Sequence, residues 1–341
     1  MISTSIGEKS DMKGKQQFLA KALYHTNVMQ LLRRMSGPRL LVINYHRICD
    51  NANSGSIFDD GVFGPTADQF KQQMIWLKKN TYILNEHELI SVIHKEKELS
   101  TCCAMVTFDD GYIDNYTLAY PILRQLEIPS IYFIPTDHII SRQLGWWDII
   151  SYVIKESRKT TIMHDGLQVS LADKPAAING FLRKMKTEPC ETTKDLVAKL
   201  AEACEVAPPD RDGQSDELMT WEQIREVSRS GITIGSHTHS HTVLSTLPFE
   251  AQKNELRLSK SILEHELGKS VNSISYPVGN YEHFSRETQL LAEECGYRIG
   301  FSFNTGVNYQ QKIDPFDIKR VEAQGEIEML AAMTQLPWLF I

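Results

Sequence analysis

Short apolar runs alternate with amphipathic stretches along most of the chain. Uninterrupted apolar runs predict buried strands, and apolar side chains spaced three and four apart predict helices. The predicted strands are 40–45, 102–108, 130–134, 231–235, 271–276 and 298–303. The predicted helices are 66–79, 115–126, 220–230, 249–267 and 283–295, the first and third opening with capping boxes, Thr66/Gln69 and Thr220/Gln223. This strand–helix order predicts a largely parallel α/β sheet or barrel with helices outside.

One segment, 145–218, departs from the alternation. It carries helical patterns at 146–157, 174–186 and 192–204, a loop-like stretch at 208–217, and no convincing strand. We therefore predict a helical insertion at about 145–218 within a domain covering 39–341. Residues 1–38 are predicted to be a separate N-terminal helical segment, because apolar side chains recur at helical spacing between 15 and 35.

Composition and charge narrow the class of protein. The net charge is −7, from 36 basic and 43 acidic residues, which disfavours nucleic acid as a partner. The chain is long enough to bury a core without disulfides, so we predict that its six cysteines are mostly buried free thiols; three disulfides are the alternative.

The N-terminal residues are polar and lack the apolar core of a signal peptide. We therefore predict a cytoplasmic protein. Peripheral membrane contact through the helix within 15–35 is the alternative, because Lys and Arg residues lie beside its apolar side chains.

Two carboxylates follow the second predicted strand. Asp109 and Asp110 precede Gly111, and ligands of parallel α/β proteins bind at the carboxyl ends of strands. Adjacent carboxylates are costly there unless a cation holds them or one is protonated. The alternative is an ordinary turn, since Asp and Gly both favour turns.

Three histidines in five residues follow the strand at 231–235. On a helical turn His237 and His241 would share one ion, and on an extended strand His237 and His239 would pair instead. An aspartate from another strand end would complete a set of two histidines and one carboxylate. That set is typical of catalytic metal sites, because it leaves coordination positions open; a surface cluster is the alternative.

The motifs T-F-D-D-G (107–111), S-H-T-H-S-H (236–241), S-Y-P-V-G-N-Y (275–281) and N-Y-H-R-I (44–48) resemble the polysaccharide deacetylase family, carbohydrate esterase family four. The resemblance covers about 40–321 apart from the insertion, and its opening is similar to that of members acting in exopolysaccharide and surface-glycan biosynthesis. It implies a distorted (β/α) barrel.

The resemblance also implies roles for individual residues. Asp109 would be the general base, and Asp110, His237 and His241 would bind a divalent metal. The backbone N–H of Val278 would be an oxyanion donor. We expect Zn²⁺, although Co²⁺, Ni²⁺ and Fe²⁺ also accept this ligand set.

Two departures from the family pattern matter for the chemistry. Ser275 begins the motif in which many members carry an arginine, so we assign Arg320 to supply that charge from another strand. The Leu-x-x-His motif that supplies many members with a general acid is not found near the C-terminus. We nominate His46 as the acid or as a substrate contact; a satisfied strand-end histidine is the alternative.

Five further residues are predicted to contact substrate. Four are aromatic, and aromatic side chains stack on sugar rings; the fifth, Pro277, lies within the 275–281 motif. They are Tyr112, Trp147, Tyr276, Pro277 and Tyr281. For Trp147 the alternative is a core position in the insertion.

These residues together predict a metal-dependent N-deacetylase that hydrolyses the acetamide of an amino sugar. The substrate is expected to be a glycan, a lipid-linked saccharide or a nucleotide-linked sugar. The alternatives are a related amidohydrolase that removes a formyl or other acyl group, and a non-catalytic glycan-binding protein.

Overall fold

The computed structural model of the chain describes residues 4–26, 37–50, 56–99, 102–188, 190–209, 215–323 and 325–341. The strands are β1 (Arg39–Tyr45), β2 (Arg47–Cys49), β3 (Phe63–Thr66), β4 (Tyr82–Ile83), β5 (Cys103–Phe108), β6 (Ser130–Ile134), β7 (Thr161–His164), β8 (Leu167–Ser170), β9 (Thr233–Ser236), β10 (Ser273–Ser275), β11 (Ile299–Thr305), β12 (Asn308–Tyr309) and β13 (Ile318–Glu322). The α-helices are α1 (Thr4–Tyr24), α2 (Ala67–Asn80), α3 (Glu86–Ile93), α4 (Tyr120–Leu126), α5 (Thr136–Ser141), α6 (Trp146–Glu156), α7 (Lys174–Met185), α8 (Cys190–Cys204), α9 (Trp221–Arg229), α10 (Phe249–Leu267), α11 (Arg286–Glu294), α12 (Ile327–Gln335) and α13 (Pro337–Phe340).

Seven parallel strands close into a barrel in the order β1, β13, β11, β10, β9, β6 and β5. Closure comes from β1, which pairs in parallel with β5 from Leu40↔Cys103 to Tyr45↔Phe108. Residues of β1, β5 and β6 are buried throughout, as expected for parallel strands that are covered on both faces. The predicted α/β barrel with surrounding helices is therefore confirmed.

Most elements occupy the predicted positions. The strand Ser130–Ile134 and the helix Phe249–Leu267 have the predicted bounds. Both predicted capping boxes form, at Thr66 and at Thr220. The predicted helix at 115–126 begins with a π-helical turn, Asn115–Ala119, before α4.

The segment 145–218 contains the predicted helices and one hairpin that was not predicted. Helices α6, α7 and α8 surround their own apolar cluster, which includes Ile150 and Leu200. The expectation that this segment has no strand is wrong, because β7 and β8 pair antiparallel. Their side chains are mostly exposed, so they left no apolar run. The signal was the Asp165-Gly166 turn, whose positive φ angles of 49° and 74° suit a two-residue hairpin.

The N-terminal helix α1 packs against α12 and ends at Tyr24. Within it Ala20 is fully buried, while Phe18, which belongs to the predicted apolar stripe, is 77% exposed. The part of the stripe at 27–36 lies outside the described residues. Among the residues that are described, no helix combines the length and apolar character needed to cross a bilayer.

The cysteines agree with the sequence prediction where their side chains are described. Cys49, Cys102, Cys103, Cys204 and Cys295 are free thiols, three of them buried. The barrel and the insertion thus pack through apolar burial, without a cross-link between these five positions.

Candidate metal centre and active site

Asp110, His237 and His241 converge at the carboxyl ends of β5 and β9. The Asp110 Oδ1 atom lies 3.5 Å from His237 Nε2 and 3.2 Å from His241 Nε2. All three side chains are buried, and one ligand atom from each lies within 4.8 Å of the others. The barrel brings these side chains together, because parallel strands end at the same rim and only β6 separates β5 from β9.

The histidine segment has neither of the two conformations considered from its spacing. Residues 237–241 form a loop in which Thr238 and His241 have positive φ angles, 62° and 55°, which a helix or strand does not contain. His239 turns away from the other two histidines, and its Nδ1 atom is hydrogen-bonded with Thr136 Oγ1 at 2.8 Å. The loop therefore selects His237 and His241.

The chemistry of this cluster fits a divalent cation. Within the described part of the chain, the buried Asp110 Oδ1 atom has no hydrogen-bond partner, although it faces two imidazole nitrogens. His237 Nδ1 lies 2.8 Å from the Ser275 carbonyl oxygen and must donate to it, which leaves the Nε2 lone pair for a cation. Two neutral imidazoles and a carboxylate are a common set for Zn²⁺ and its neighbours.

Asp109 is held by a buried guanidinium. Arg320, on β13, donates from its Nη1 atom to Asp109 Oδ1 at 2.9 Å and to Asn44 Oδ1 at 2.7 Å. Its other nitrogens donate to Ser275 Oγ and to the Ser302 carbonyl oxygen, each at 2.8 Å. The charge that the Ser275 motif lacks is thus supplied by Arg320, 211 residues from Asp109 in the sequence.

Electrostatics keeps both aspartates ionised. Burial raises the pKa of Asp109, but the opposing effect of the Arg320 charge, followed by His237 and His46, is larger. The pKa of Asp109 therefore lies below its ordinary value. Burial also opposes ionisation of Asp110, yet the His237 and His241 imidazoles that face its carboxylate hold that pKa well below the usual range. An ionised Asp109 beside the cluster is suited to accept a proton.

Two residues of this network escaped the sequence reasoning. Asn44 donates from Nδ2 to Asp109 Oδ2 at 3.2 Å, and Ser275 Oγ lies 3.5 Å from the same oxygen. Their signal was positional: Asn44 lies at the end of β1 within N-Y-H, and Ser275 ends β10. Short polar side chains at strand ends carried no chemical pattern of their own.

His46 and Val278 lie beside the carboxylates, in the same cavity. His46 Nε2 is 3.9 Å from Asp109 Oδ2, and its ring contacts Phe303 edge-on, with the ring centroids 5.8 Å apart. Val278 has a φ of 60°, a conformation that is costly for a β-branched residue and is found mainly where function requires it.

The cavity has a volume of about 380 Å³. Its walls come from the metal cluster, the segment 59–62 and the insertion; they include His46, Asp109, Trp146, Trp147, Lys155, Ile178, Leu182, Lys186, Tyr276, Val278, Phe303 and Arg320. Of the predicted substrate contacts, Trp147 and Tyr276 line this cavity. Tyr112 and Pro277 are buried away from it, and Tyr281 is 61% exposed and bonded to Asp317 instead.

The chain belongs to the polysaccharide deacetylase family. The family model with that description matches residues 96–300, which is more than half of the chain. A curated Bacillus subtilis (strain 168) protein, named "Putative polysaccharide deacetylase YxkH", is 26% identical over 239 residues; these cover 70% of this chain and 58% of that protein. The chain therefore spans somewhat more than half the length of this curated relative.

Solved structures share the fold at low sequence identity. The deacetylase PplD of Streptococcus pyogenes, in complex with acetate, is 17% identical with a TM-score of 0.59, covering 87% of this chain and 99% of that one. IcaB from Ammonifex degensii is 18% identical with a TM-score of 0.57, covering 88% and 98%. These similarities establish the architecture.

Proposed function

We propose that the protein is a metal-dependent N-deacetylase that hydrolyses the acetamide of an amino sugar in a glycan or a glycan precursor. The observation that carries this proposal is the buried set of Asp110, His237 and His241 beside an Asp109 that Arg320 keeps ionised. Family membership supports an acyl-sugar substrate. The barrel supplies a cavity next to the cluster in which one sugar ring can lie.

The proposal assigns one task to each residue around the cluster. Asp110, His237 and His241 would hold the divalent cation, which supplies Lewis-acid polarisation of a carbonyl and acidification of water. Asp109 takes the proton of the attacking water, and Arg320 orients its carboxylate. The Val278 N–H would donate to the developing oxyanion, a contribution typically worth about 10²–10³ in rate.

An amine leaves readily only when it is protonated, so a proton donor is required. His46 is the nominated donor, because its Nε2 atom lies 3.9 Å from Asp109 Oδ2, beside the metal cluster. Its half-buried ring borders the cavity, where a departing amine would lie.

The test is acetate release from a panel of N-acetylated saccharides, lipid-linked saccharides and nucleotide sugars, with and without chelator. We expect release by the wild type, and its loss with chelator and in Asp109→Asn, by about 10²–10⁴ for the substitution. Metal content measured on Asp109→Asn should remain that of the wild type, since Asp109 is outside the ligand set.

Other outcomes select the alternatives. Metal binding without acetate release, followed by activity on formyl or other amides, would identify a related amidohydrolase. Saccharide binding that is equal in the wild type and in Asp109→Asn, with no release from any amide, would identify a glycan-binding protein and contradict the proposal. The cytoplasmic location, membrane contact and zinc identity stay predictions, which cell fractionation and metal analysis would test.

A further inference from the structure

The two histidines of the metal cluster are held in different ways. His237 is fixed by a hydrogen bond from its Nδ1 atom to the Ser275 carbonyl oxygen, at 2.8 Å. Nδ1 of His241 is buried and has no hydrogen-bond partner among the described residues. Ligating histidines almost always donate their second ring nitrogen to an acceptor that sets the ring orientation. His241 therefore needs another constraint.

Ring contacts supply that constraint. The Trp147 ring lies against His241 with centroids 4.4 Å apart and an interplanar angle of 51°. The His138 ring stacks on His241 at 5.8 Å and contacts Trp147 at 5.9 Å. Trp147 is only 6% exposed, so most of its surface packs on protein although it lines the cavity.

A hydrogen-bond chain fixes Trp147 in turn. Trp147 Nε1 donates to Tyr112 Oη at 2.7 Å, and Tyr112 Oη donates to Asp148 Oδ2 at 2.7 Å. The other Asp148 oxygen accepts from the Asp59 backbone N–H at 3.1 Å. Tyr112 and Asp148 are fully buried, and the Arg47 guanidinium lies 4.5 Å above the Tyr112 ring.

We propose that Trp147 is a positioning residue for the metal ligand His241, and that Tyr112 and Asp148 hold its ring in place. The tryptophan performs by packing the task that a hydrogen bond performs for His237. The inference rests on the metal centre of the proposed function. It replaces direct substrate contact as the role of Tyr112, and it gives Trp147 a role other than stacking on a sugar ring.

The two roles of Trp147 predict different measurements. If Trp147 only stacks on a sugar ring, its substitution changes KM and leaves the affinity for metal unchanged. A positioning residue affects the affinity for metal and the ligand field of the bound ion, which are measured without substrate. Loss of such indirect support typically weakens metal binding by about 10–100-fold.

The experiment measures Co²⁺ affinity by chelator competition, and the Co²⁺ absorption spectrum, for the wild type and three variants. Trp147→Leu removes the ring and should bind Co²⁺ about 10–100-fold more weakly, with an altered spectrum. Trp147→Phe keeps an aromatic contact and should recover part of the affinity. Tyr112→Phe keeps its ring but loses the hydroxyl that joins Trp147 to Asp148, and should change the affinity in the same direction.

Tyr45→Phe is the matched control. Tyr45 is also a buried tyrosine whose hydroxyl makes one side-chain hydrogen bond, to Gln73 Oε1 at 2.7 Å, but it does not contact the cluster. It should lose comparable stability and bind Co²⁺ like the wild type.

Each outcome decides the question. Wild-type Co²⁺ affinity and spectrum in folded Trp147→Leu would overturn the inference while leaving the proposed function intact. If that variant does not fold, Tyr112→Phe with wild-type Co²⁺ binding has the same consequence. Absence of Co²⁺ or Zn²⁺ binding by the wild type would overturn the metal centre itself, and this inference with it.

Discussion

At the scale of single residues, Arg320 has the most demanding position in the site. Its guanidinium is 1% exposed and donates to four different acceptors, on Asp109, Asn44, Ser275 and Ser302. Only a planar fork of donors can serve acceptors in these directions, whereas an ammonium is a single point charge. The charge and the shape of this side chain are therefore both used.

We expect Arg320→Lys to lower kcat for deacetylation at least about tenfold, because the Asp109 carboxylate loses its oriented partner. Arg39→Lys is the matched control. Arg39 is also 1% exposed, and its guanidinium donates to the carbonyl oxygens of Gly37, Thr334 and Gln335, away from the site. The control should lose stability in a thermal melt and retain kcat; an equal loss of kcat in both variants would contradict a specific role for Arg320.

Because the Asp148 carboxyl is buried, we expect the free energy of unfolding to depend on pH. Burial raises its pKa to about 7, in opposition to the hydrogen bond from Tyr112. An acid whose pKa is higher in the folded chain than in the unfolded chain favours folding most when protonated. Its contribution is fully present below about pH 4, near the unfolded pKa, and is lost as the pH rises through about 7.

Denaturant unfolding of the metal-free wild type and Asp148→Asn checks this prediction. The free energy of unfolding of the wild type, relative to the variant, should fall as the pH rises from about 4 to about 8. A relative stability that increases over this range would show that Asp148 is ionised more readily in the folded protein than in the unfolded one.

At the scale of elements, the site is an assembly of strand ends. β1 brings Asn44, β5 is followed by both aspartates, β9 is followed by the histidine loop, and β13 carries Arg320. Helix α6 adds Trp147 and Lys155 from the insertion. The insertion thus forms a wall of the cavity.

Lys155 joins this wall to the segment before β3. Its ammonium donates to the carbonyl oxygens of Ser56 and Phe58, at 2.9 and 2.6 Å, and pairs with Asp60 at 2.9 Å. Lys155→Met should loosen the cavity wall and raise KM several-fold, with a smaller change in kcat, because two carbonyl oxygens and a carboxylate lose their shared donor. Steady-state kinetics on the preferred N-acetylated substrate measures both.

Lys159→Met is the control for that variant. Lys159 lies just after α6, but it pairs with Glu205 and donates to the Ala203 carbonyl oxygen, outside the cavity. Its KM should match the wild type. If the two variants have the same KM, the contact between Lys155 and residues 56–60 does not shape the substrate site.

Sequence patterns predicted elements where burial was strong and failed where it was weak. Strand Ser130–Ile134 is buried at each position, so its apolar run was unambiguous. The exposed hairpin β7–β8 had only its Asp165-Gly166 turn as a signal. The histidine loop was beyond spacing arguments, because its shape depends on left-handed φ angles at Thr238 and His241. Arg320 was reached only through the family resemblance, since nothing local links it to Asp109.

At the scale of the whole molecule, the cluster joins distant parts of the chain. Asp110 follows one strand of the barrel, the histidines follow another, and the insertion packs on His241 through Trp147. A cation bound only by the folded chain stabilises it by an amount that grows with the logarithm of its concentration, about 2.7 kcal/mol at a hundredfold excess over Kd.

Adding Zn²⁺ to chelator-treated protein should therefore raise Tm by several degrees. His237→Ala should show no such rise, because one of three ligands is missing. Calorimetry with and without Zn²⁺ measures both. An equal rise in the variant would indicate that the stabilising ion binds elsewhere.

The pairing of Asp109 with Arg320 also has a consequence for biosynthesis. During translation, 211 residues must be added after the carboxylate before its guanidinium partner exists, which takes on the order of 10–40 s at about 5–20 residues per second. The barrel also cannot close before β13 has emerged, since β1 pairs with it. Under the proposed function, a nascent chain on the ribosome would therefore carry the acidic pair without catalytic competence until nearly the entire barrel has been synthesised.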